Sequence, residues 1–256
     1  MSDTQQENLQ HFVSKWYARE PEMQFAEVFV PASGKLLFHV WGALLHELKH
    51  TLFELSDARI TEVKTAWWAD EFLRLSNAQP RHPITQALAE IPAPWVPLSS
   101  SLFGVIETAS IRASNTEQAI ANLLPFSNAL IEIEDRIFDS KIATSEELFA
   151  VHCLLHRLPH GLSAEDQARI PMHLMARHSV SAAQLANIGQ NGLLQDWATE
   201  LNSVLDEKRA GSVFRRARTR FDQARLANLV AGNGYLKTSA PKLLWQAWRA
   251  AVAQPR

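Results

Sequence analysis

The sequence of 256 residues has little cysteine, glycine or tyrosine: one Cys, nine Gly and two Tyr. The single Cys153 excludes a disulfide-stapled scaffold and is interpreted as a small core residue. Its apolar residues are mostly Ala and Leu, with eight Trp. Ala and Leu favour helices, whereas strands favour β-branched and aromatic residues. We therefore expect an all-α protein.

Long hydrophobic runs are also missing, and no apolar stretch reaches the roughly 20 residues of a membrane helix. The first ten residues, MSDTQQENLQ, are polar and acidic, unlike a secretory signal. We expect a cytoplasmic protein without a transmembrane segment, although peripheral membrane contact stays open. With 25 Lys+Arg against 27 Asp+Glu, the net charge of -2 argues against a nucleic-acid partner.

The chain contains enough apolar material for a large core, since 46% of its residues are hydrophobic. Five prolines crowd residues 79–97 and mark corners of the chain. Neither a Gly/Ser tract nor a repeat of fixed period separates two halves. We predict a single helical domain over 1–256, with about ten helices.

Three segments carry clear helix signals. Apolar residues three or four apart predict a long helix over 36–55. A capping box, in which Thr144 caps the helix and Glu147 reaches back to it, predicts a second over 145–158. Flanking prolines predict a short helix over 84–91. Shorter helical pieces are expected at 172–178 and 181–188, with a further helix through Trp197 and Leu205.

The segment KTAWWADEFL at 64–73 is followed by PRHPI at 80–84. This block resembles the squalene/phytoene synthase family, which reads WW-x-x-E-L and then h-P. Weaker agreement extends over nearly the whole chain. The residues that carry the resemblance are Trp67, Trp68, Glu71, His82 and Pro83.

The resemblance implies an isoprenoid (terpenoid) synthase-like fold, with helices around a central cavity. In that family, acidic motifs near the cavity mouth hold Mg²⁺, which binds the diphosphates of prenyl substrates. The metal neutralises the leaving group, and the apolar cavity shields the carbocation from water.

The sequence departs from the family at both acidic motifs. The first D-x-x-x-D should lie on the helix over 36–55, which contains no Asp. Glu47, Glu54 and Asp57 are its nearest substitutes. On the helix over 145–158, the second motif position holds His152 and His156. The string Asp135 to Asp139 is out of register and is interpreted as surface capping.

His46, Glu47 and His50 form a literal H-E-x-x-H, which in zinc proteases places two His and a catalytic Glu on one helix. Three interpretations compete: a solvated polar face, a cavity-lining face that replaces the lost first acidic motif, and a zinc hydrolase. Whether these residues bind any metal stays open at this point.

One dense basic stretch runs from Lys208 to Arg220. Within it, Arg209, Arg216 and Arg220 can align on one helix face, as phosphate-binding candidates. This face is either solvated or in contact with a diphosphate or an anionic lipid, and a nucleic-acid role is disfavoured by the net charge.

Together these observations predict a degenerate squalene/phytoene synthase-like protein. It would bind a prenyl or other lipid-like ligand, or act as a non-catalytic assembly or accessory factor with a protein partner. The alternative is an active Mg²⁺-dependent prenyltransferase that condenses prenyl diphosphates. A zinc hydrolase is the remote alternative. Mg²⁺ is expected only if the protein is active.

Overall fold

The computed structural model describes residues 3–109, 111–155, 169–185, 192–232 and 238–253. Within these ranges the chain forms helices and no strand, so the all-α prediction is confirmed. The α-helices are α1 Asp3–Arg19, α2 Met23–Glu27, α3 Lys35–Lys49, α4 Ala58–Ser76, α5 Pro83–Gln86, α6 Trp95–Ala109, α7 Thr116–Ala121, α8 Leu124–Ile137, α9 Glu146–Leu155, α10 Met172–Arg177, α11 Ala182–Leu185, α12 Gly192–Val204, α13 Val213–Val230 and α14 Ala240–Val252. Two 3-10 helices cover Ala32–Gly34 and Glu207–Arg209, and a π-helix covers His50–Glu54.

The long helix predicted over 36–55 is α3 followed by the π-helix, so its extent is confirmed and its last turn is wider than expected. Its apolar stripe is buried, including Leu44 and Leu48. Gly42 allows α1 to approach closely, because a Cβ there would lie 2.3 Å from the Trp16 ring. The apolar periodicity therefore determines which face of α3 is buried, and Gly42 permits the close contact with α1.

The predicted capping box at the start of α9 is wrong. The Thr144 hydroxyl donates to Asp135 at 2.7 Å and accepts from the Gly211 amide at 2.8 Å. Glu147 pairs with Arg209 at 2.6 Å. Tertiary partners therefore take both side chains away from the helix amides. Residues 156–158 of the predicted helix lie outside the described part of the chain.

The number of helices was also underestimated, since the described residues alone form fourteen α-helices. The helix predicted over 84–91 is confined to α5 and gives way to a turn. The pieces predicted near 172–178 and 181–188 are α10 and α11, and residues 186–188 are not described. Corners divide the chain into more short helices than the periodicity resolves.

Helix α13 lies inside the bundle, with α2, α9, α12 and α14 packed against it. Although it is rich in arginine, Arg215 and Arg218 are among its most deeply buried side chains. Buried guanidinium groups need charged partners. The position of α13 therefore places ion pairs in the interior of the protein.

None of the described helices is both long and apolar enough to cross a bilayer.

Candidate functional site

Charged side chains meet in the interior where α3, α9, α13 and the turn between α1 and α2 come together. We call this group the interior ion cluster. Its members are Glu20, Glu22, Lys49, His152, Arg218, Asp222 and Arg225.

Lys49 connects α3 to two other parts of the fold. Its ammonium group forms a salt bridge with Glu20 and donates to Nε2 of His152 at 2.6 Å. Because an ammonium group can only donate, Nε2 must accept and the ring proton lies on Nδ1. That Nδ1–H donates to Asp222 at 2.9 Å. The tautomer of His152 is thus set by its two neighbours.

Arg218 is the second centre of the interior ion cluster. Its guanidinium contacts Asp222 at 3.0 Å, Glu20 at 3.1 Å and Glu22 at 2.6 Å. Arg225 adds a second cation to Glu22. Three carboxylates therefore face three permanent cations, Lys49 included, and this balance is what allows charge to be buried.

The balance holds the acids in their charged form. Burial alone would raise the pKa of Glu20, but the positive charges of Lys49 and Arg218 outweigh it and hold that pKa well below its usual range. The pKa of Asp222 is lowered in the same way, as Arg218 and His152 overcome the effect of burial. Burial alone would lower the pKa of Arg218, but the negative charges of Asp222, Glu22 and Glu20 outweigh it and raise that pKa.

Mg²⁺, the metal that the resemblance implies, does not fit this donor set. The ion requires several oxygen ligands that are free to face it. Here the carboxylates of Glu20, Glu22 and Asp222 face Lys49 and guanidinium groups instead. No group of three or more His, Cys, Asp or Glu side chains in the described ranges is arranged to hold a metal ion.

The other proposed ligands on α3 and after it are dispersed. His46 is buried, and burial together with nearby Lys49 lowers its pKa to about 4. His50 lies with its ring centre 6.4 Å from that of His46. Glu54 forms a salt bridge with Arg19.

Asp57 is exposed and caps α4, where it accepts from the Arg59 amide at 2.9 Å. Asp57 therefore has a local structural role at the start of a helix, and that role accounts for its side chain without a metal ion. Glu47, the remaining candidate, is half-buried on α3.

Of the two histidines at the second acidic-motif position, the structure describes one. His152 belongs to the interior ion cluster, whereas His156 lies outside the described residues. Neighbouring Cys153 is buried, and burial raises the pKa of its thiol to about 12. A thiol with so high a pKa is a poor nucleophile.

The three arginines expected on one helix face do not share one, and that expectation is wrong. Arg209 lies on a 3-10 helix that precedes α13 and pairs with Glu147. Arg216 is buried and donates to the backbone carbonyl of Ala250 at 2.8 Å. Arg220 pairs with Glu207. All three side chains have partners within the protein.

The buried face of α13 was missed by sequence reasoning. Arg215, Arg218, Asp222 and Arg225 follow one another at steps of three or four residues and share that face. Arg215 pairs with buried Glu134 of α8. The spacing was a usable signal, but charged helix faces are ordinarily solvated, so it indicated the wrong environment.

Glu134 also accepts from side chains of two neighbouring segments. The Trp41 indole of α3 donates to it at 2.8 Å, and the Ser212 hydroxyl donates at 3.1 Å. This second buried group fixes α3, α8 and α13 relative to each other. The sequence analysis did not predict a polar contact for either Glu134 or Trp41.

The block at residues 64–84 that carries the family resemblance has a structural role at a corner of the fold. Glu71 is buried and accepts from the amides of Arg81 at 2.7 Å and His82 at 2.8 Å. His82 in turn caps α5 through Nδ1, which accepts from the Ile84 amide at 3.3 Å. The pair of carboxylate and imidazole therefore holds the corner between α4 and α5.

The two tryptophans of that block have different environments. Trp68 is 4% exposed and Trp67 is 46% exposed. Both rings contact His82. Adjacent helix residues point about 100° apart, so one indole packs between helices and the other faces outward.

Comparison with known proteins gives a likeness in fold but none in sequence family. No protein-family model matches the sequence. No curated protein matches it. Among solved structures the chain is similar to the crystal structure of squalene synthase HpnC from Alicyclobacillus acidocaldarius, with a TM-score of 0.54 and 11% identity over 98% of this chain and 92% of that one. The chain thus has a helical fold like that of a squalene synthase.

Proposed function

We propose that this protein has a squalene synthase-like fold without catalytic activity. It would bind a prenyl or other lipid-like ligand without Mg²⁺. The observation that carries the proposal is the contact between Lys49 and His152. These residues lie on the two helices that the resemblance identifies with the acidic motifs. A cation and an imidazole stand there in place of paired carboxylates.

Loss of the metal would remove the main stabilisation of a departing diphosphate. Electrostatic stabilisation of developing charge is usually the largest single contribution to such catalysis. The three buried carboxylates beside Lys49 are neutralised by cations of the protein itself. The interior ion cluster would therefore support the fold rather than the chemistry.

An apolar pocket supports the choice of ligand. It has a volume of about 280 Å³ and lies between the start of α3, the end of α8 and the start of α13. Its walls include the side chains of Leu37, Phe38, Phe138 and Phe214. Among the lining residues that the structure describes, Asp139 is the charged one, so the pocket suits an uncharged hydrocarbon chain better than a diphosphate.

The test is a thermal-melt titration of the purified protein with farnesol and with a non-hydrolysable farnesyl diphosphate analogue, each with and without Mg²⁺. A ligand that binds only the native state adds about 2.7 kcal/mol at a hundredfold excess over Kd. We expect a rise in Tm that does not require the metal. Leu37→Trp, which fills the pocket, should abolish the rise, whereas Leu73→Trp on the exposed side of α4 should keep it.

A rise that requires Mg²⁺, accompanied by release of pyrophosphate from farnesyl diphosphate, would overturn the proposal in favour of a prenyltransferase. Absence of any rise would also overturn it and favour an accessory role with a protein partner. Stoichiometric zinc in the purified protein would favour the hydrolase alternative.

A further inference from the structure

Helix α14 presents large apolar side chains to the outside. Leu244, Trp245, Trp248 and Val252 are 42%, 51%, 48% and 53% exposed. At about 100° per residue they form one continuous stripe. A surface helix normally turns its apolar face toward the core and its polar face outward. Here the outer face is apolar, and exposed apolar patches of this kind are typical of protein–protein or membrane interaction sites.

The inner face of α14 is already in use. Ala247 and Ala250 are buried, and the helix packs against α2 and α13. The Ala250 carbonyl accepts from Arg216. The helix is thus held in place by its small residues, and rotation of the tryptophans into the core is not available to it.

Basic residues border the apolar stripe. Lys242 and Arg249 are exposed, and both lie on the same side of the stripe on a helical projection. The Arg249 guanidinium lies 5.1 Å from the centre of the Trp245 ring. This arrangement of an indole beside a cation is typical of helices that lie in a membrane interface.

Acidic residues are few on α14 and on the two helices packed against it. Glu27, the acidic residue of α2, accepts from the Tyr17 hydroxyl and pairs with His39. α14 has no Asp or Glu. Asp222, the only acidic residue of α13, is buried in the interior ion cluster. Val28, directly after α2, and Val230, at the end of α13, are exposed apolar side chains on segments next to these two helices' ends. The charge of this surface is complementary to an anionic one.

We propose that the outer face of α14 docks on the surface of a lipid bilayer that contains anionic lipids. Trp245 and Trp248 would enter the headgroup region, where an indole has both an apolar and a polar environment. Lys242 and Arg249 would contact lipid phosphates. The proposal rests on α14 and the segments next to it, and it does not depend on the ligand proposed above.

The experiment is co-sedimentation of the full chain with vesicles of phosphatidylcholine and with vesicles of equal parts phosphatidylcholine and phosphatidylglycerol. We expect binding to the mixed vesicles that weakens with salt, and at least about tenfold weaker binding to phosphatidylcholine alone. Trp245→Ser/Trp248→Ser should lose at least about tenfold in affinity. Trp67→Ser, which removes a similarly exposed indole from α4, is the matched control and should bind normally.

A second measurement needs no substitution. Bromine-labelled phosphatidylglycerol vesicles should quench part of the tryptophan emission of the unaltered protein. Absence of binding to mixed vesicles, equal loss in the Trp67→Ser control, or absence of quenching would each overturn the proposal. A dimer that Trp245→Ser/Trp248→Ser converts to a monomer would overturn it too, because the face would then be covered by a second copy.

Discussion

Lys49 on α3 donates to Nε2 of His152 on α9 across 2.6 Å, although 103 residues separate them in the chain. The contact joins the two helices on which the sequence resemblance led us to expect acidic motifs. A lysine at this point brings its own positive charge into the interior. The site therefore needs an anionic partner for this cation, which Glu20 provides.

Removal of Lys49 should be strongly destabilising. In Lys49→Met, Glu20 loses its nearest cation and His152 loses its donor. Breaking a buried charge pair costs about 3–5 kcal/mol. We expect the free energy of unfolding in urea to fall by this amount. Arg74→Met, which breaks the exposed pair with Asp70, is the control and should cost less than about 1 kcal/mol. Equal effects would contradict a buried role for Lys49.

Two glycines in helices should respond in opposite directions to alanine. In Gly42→Ala the new Cβ would lie 2.3 Å from the Trp16 ring, so we expect a loss of about 1–3 kcal/mol from overpacking. Gly104 on α6 has no neighbour within 4 Å of a Cβ, so Gly104→Ala should gain about 0.5–1 kcal/mol from helix propensity. Urea denaturation measures both. The same sign in both variants would refute the close approach of α1 to α3.

Replacement of Glu71 should separate charge from hydrogen bonding at the α4–α5 corner. Glu71→Leu leaves the part-buried amides of Arg81 and His82 without this acceptor, at a cost of about 2 kcal/mol or more. Glu71→Gln keeps a carbonyl oxygen there and should cost about half as much. Glu62→Leu, at an exposed position of the same helix, is the control. Denaturation midpoints give the comparison, and equal costs for the two Glu71 variants would contradict this role.

Stability should decrease with acid through a half-buried histidine, His82. Burial lowers the pKa of His82 from 6.5 to about 4. Between these values the unfolded chain binds more protons than the native state, so stability is full above pH 6.5 and is lost as pH falls toward 4. His82→Asn keeps an acceptor for the Ile84 amide and removes the titration.

The corresponding measurement is Tm against pH for both proteins. We expect a smaller fall between pH 6.5 and 4 in His82→Asn than in the unaltered protein. Similar values near neutral pH would show that the cap is kept. His46 has a pKa lowered in the same way and continues to titrate in both proteins. Parallel profiles would contradict the assignment to His82.

Cys153 should be unreactive in the native protein. Burial raises the pKa of its thiol to about 12, so almost none of it is thiolate near pH 8. We expect no reaction with a disulfide reagent until denaturant is added, and one equivalent afterwards. Rapid reaction without denaturant would show that α9 opens readily.

Local patterns predicted the fold well and the site poorly. The stripe that includes Leu44 and Leu48 is set by neighbours within one helix, so periodicity was sufficient to place α3. The environment of Lys49 is set by residues from α9, α13 and the turn after α1, which no local pattern brings together. Thr144 shows the same limit, because its partners Asp135 and Gly211 lie 9 and 67 residues away.

The family resemblance drew attention to two helices but did not predict the ion pairs between them. It pointed to the helix of His152, and the structure connects that residue to α3. It could not indicate Arg218, because charged residues on a helix are usually solvated. Recognition of the buried face of α13 required knowledge of what packs against it.

The long separations within the interior ion cluster also constrain the order of synthesis. Glu20 and Glu22 contact Arg218, which lies 198 and 196 residues further along the chain. At about 5–20 residues per second, a ribosome needs on the order of 10–40 seconds to make that stretch. Once Lys49 has been made, it is for the rest of this interval the only permanent cation of the cluster that contacts either carboxylate. The amino-terminal helices of the nascent chain must therefore wait for α13 before their interior can close.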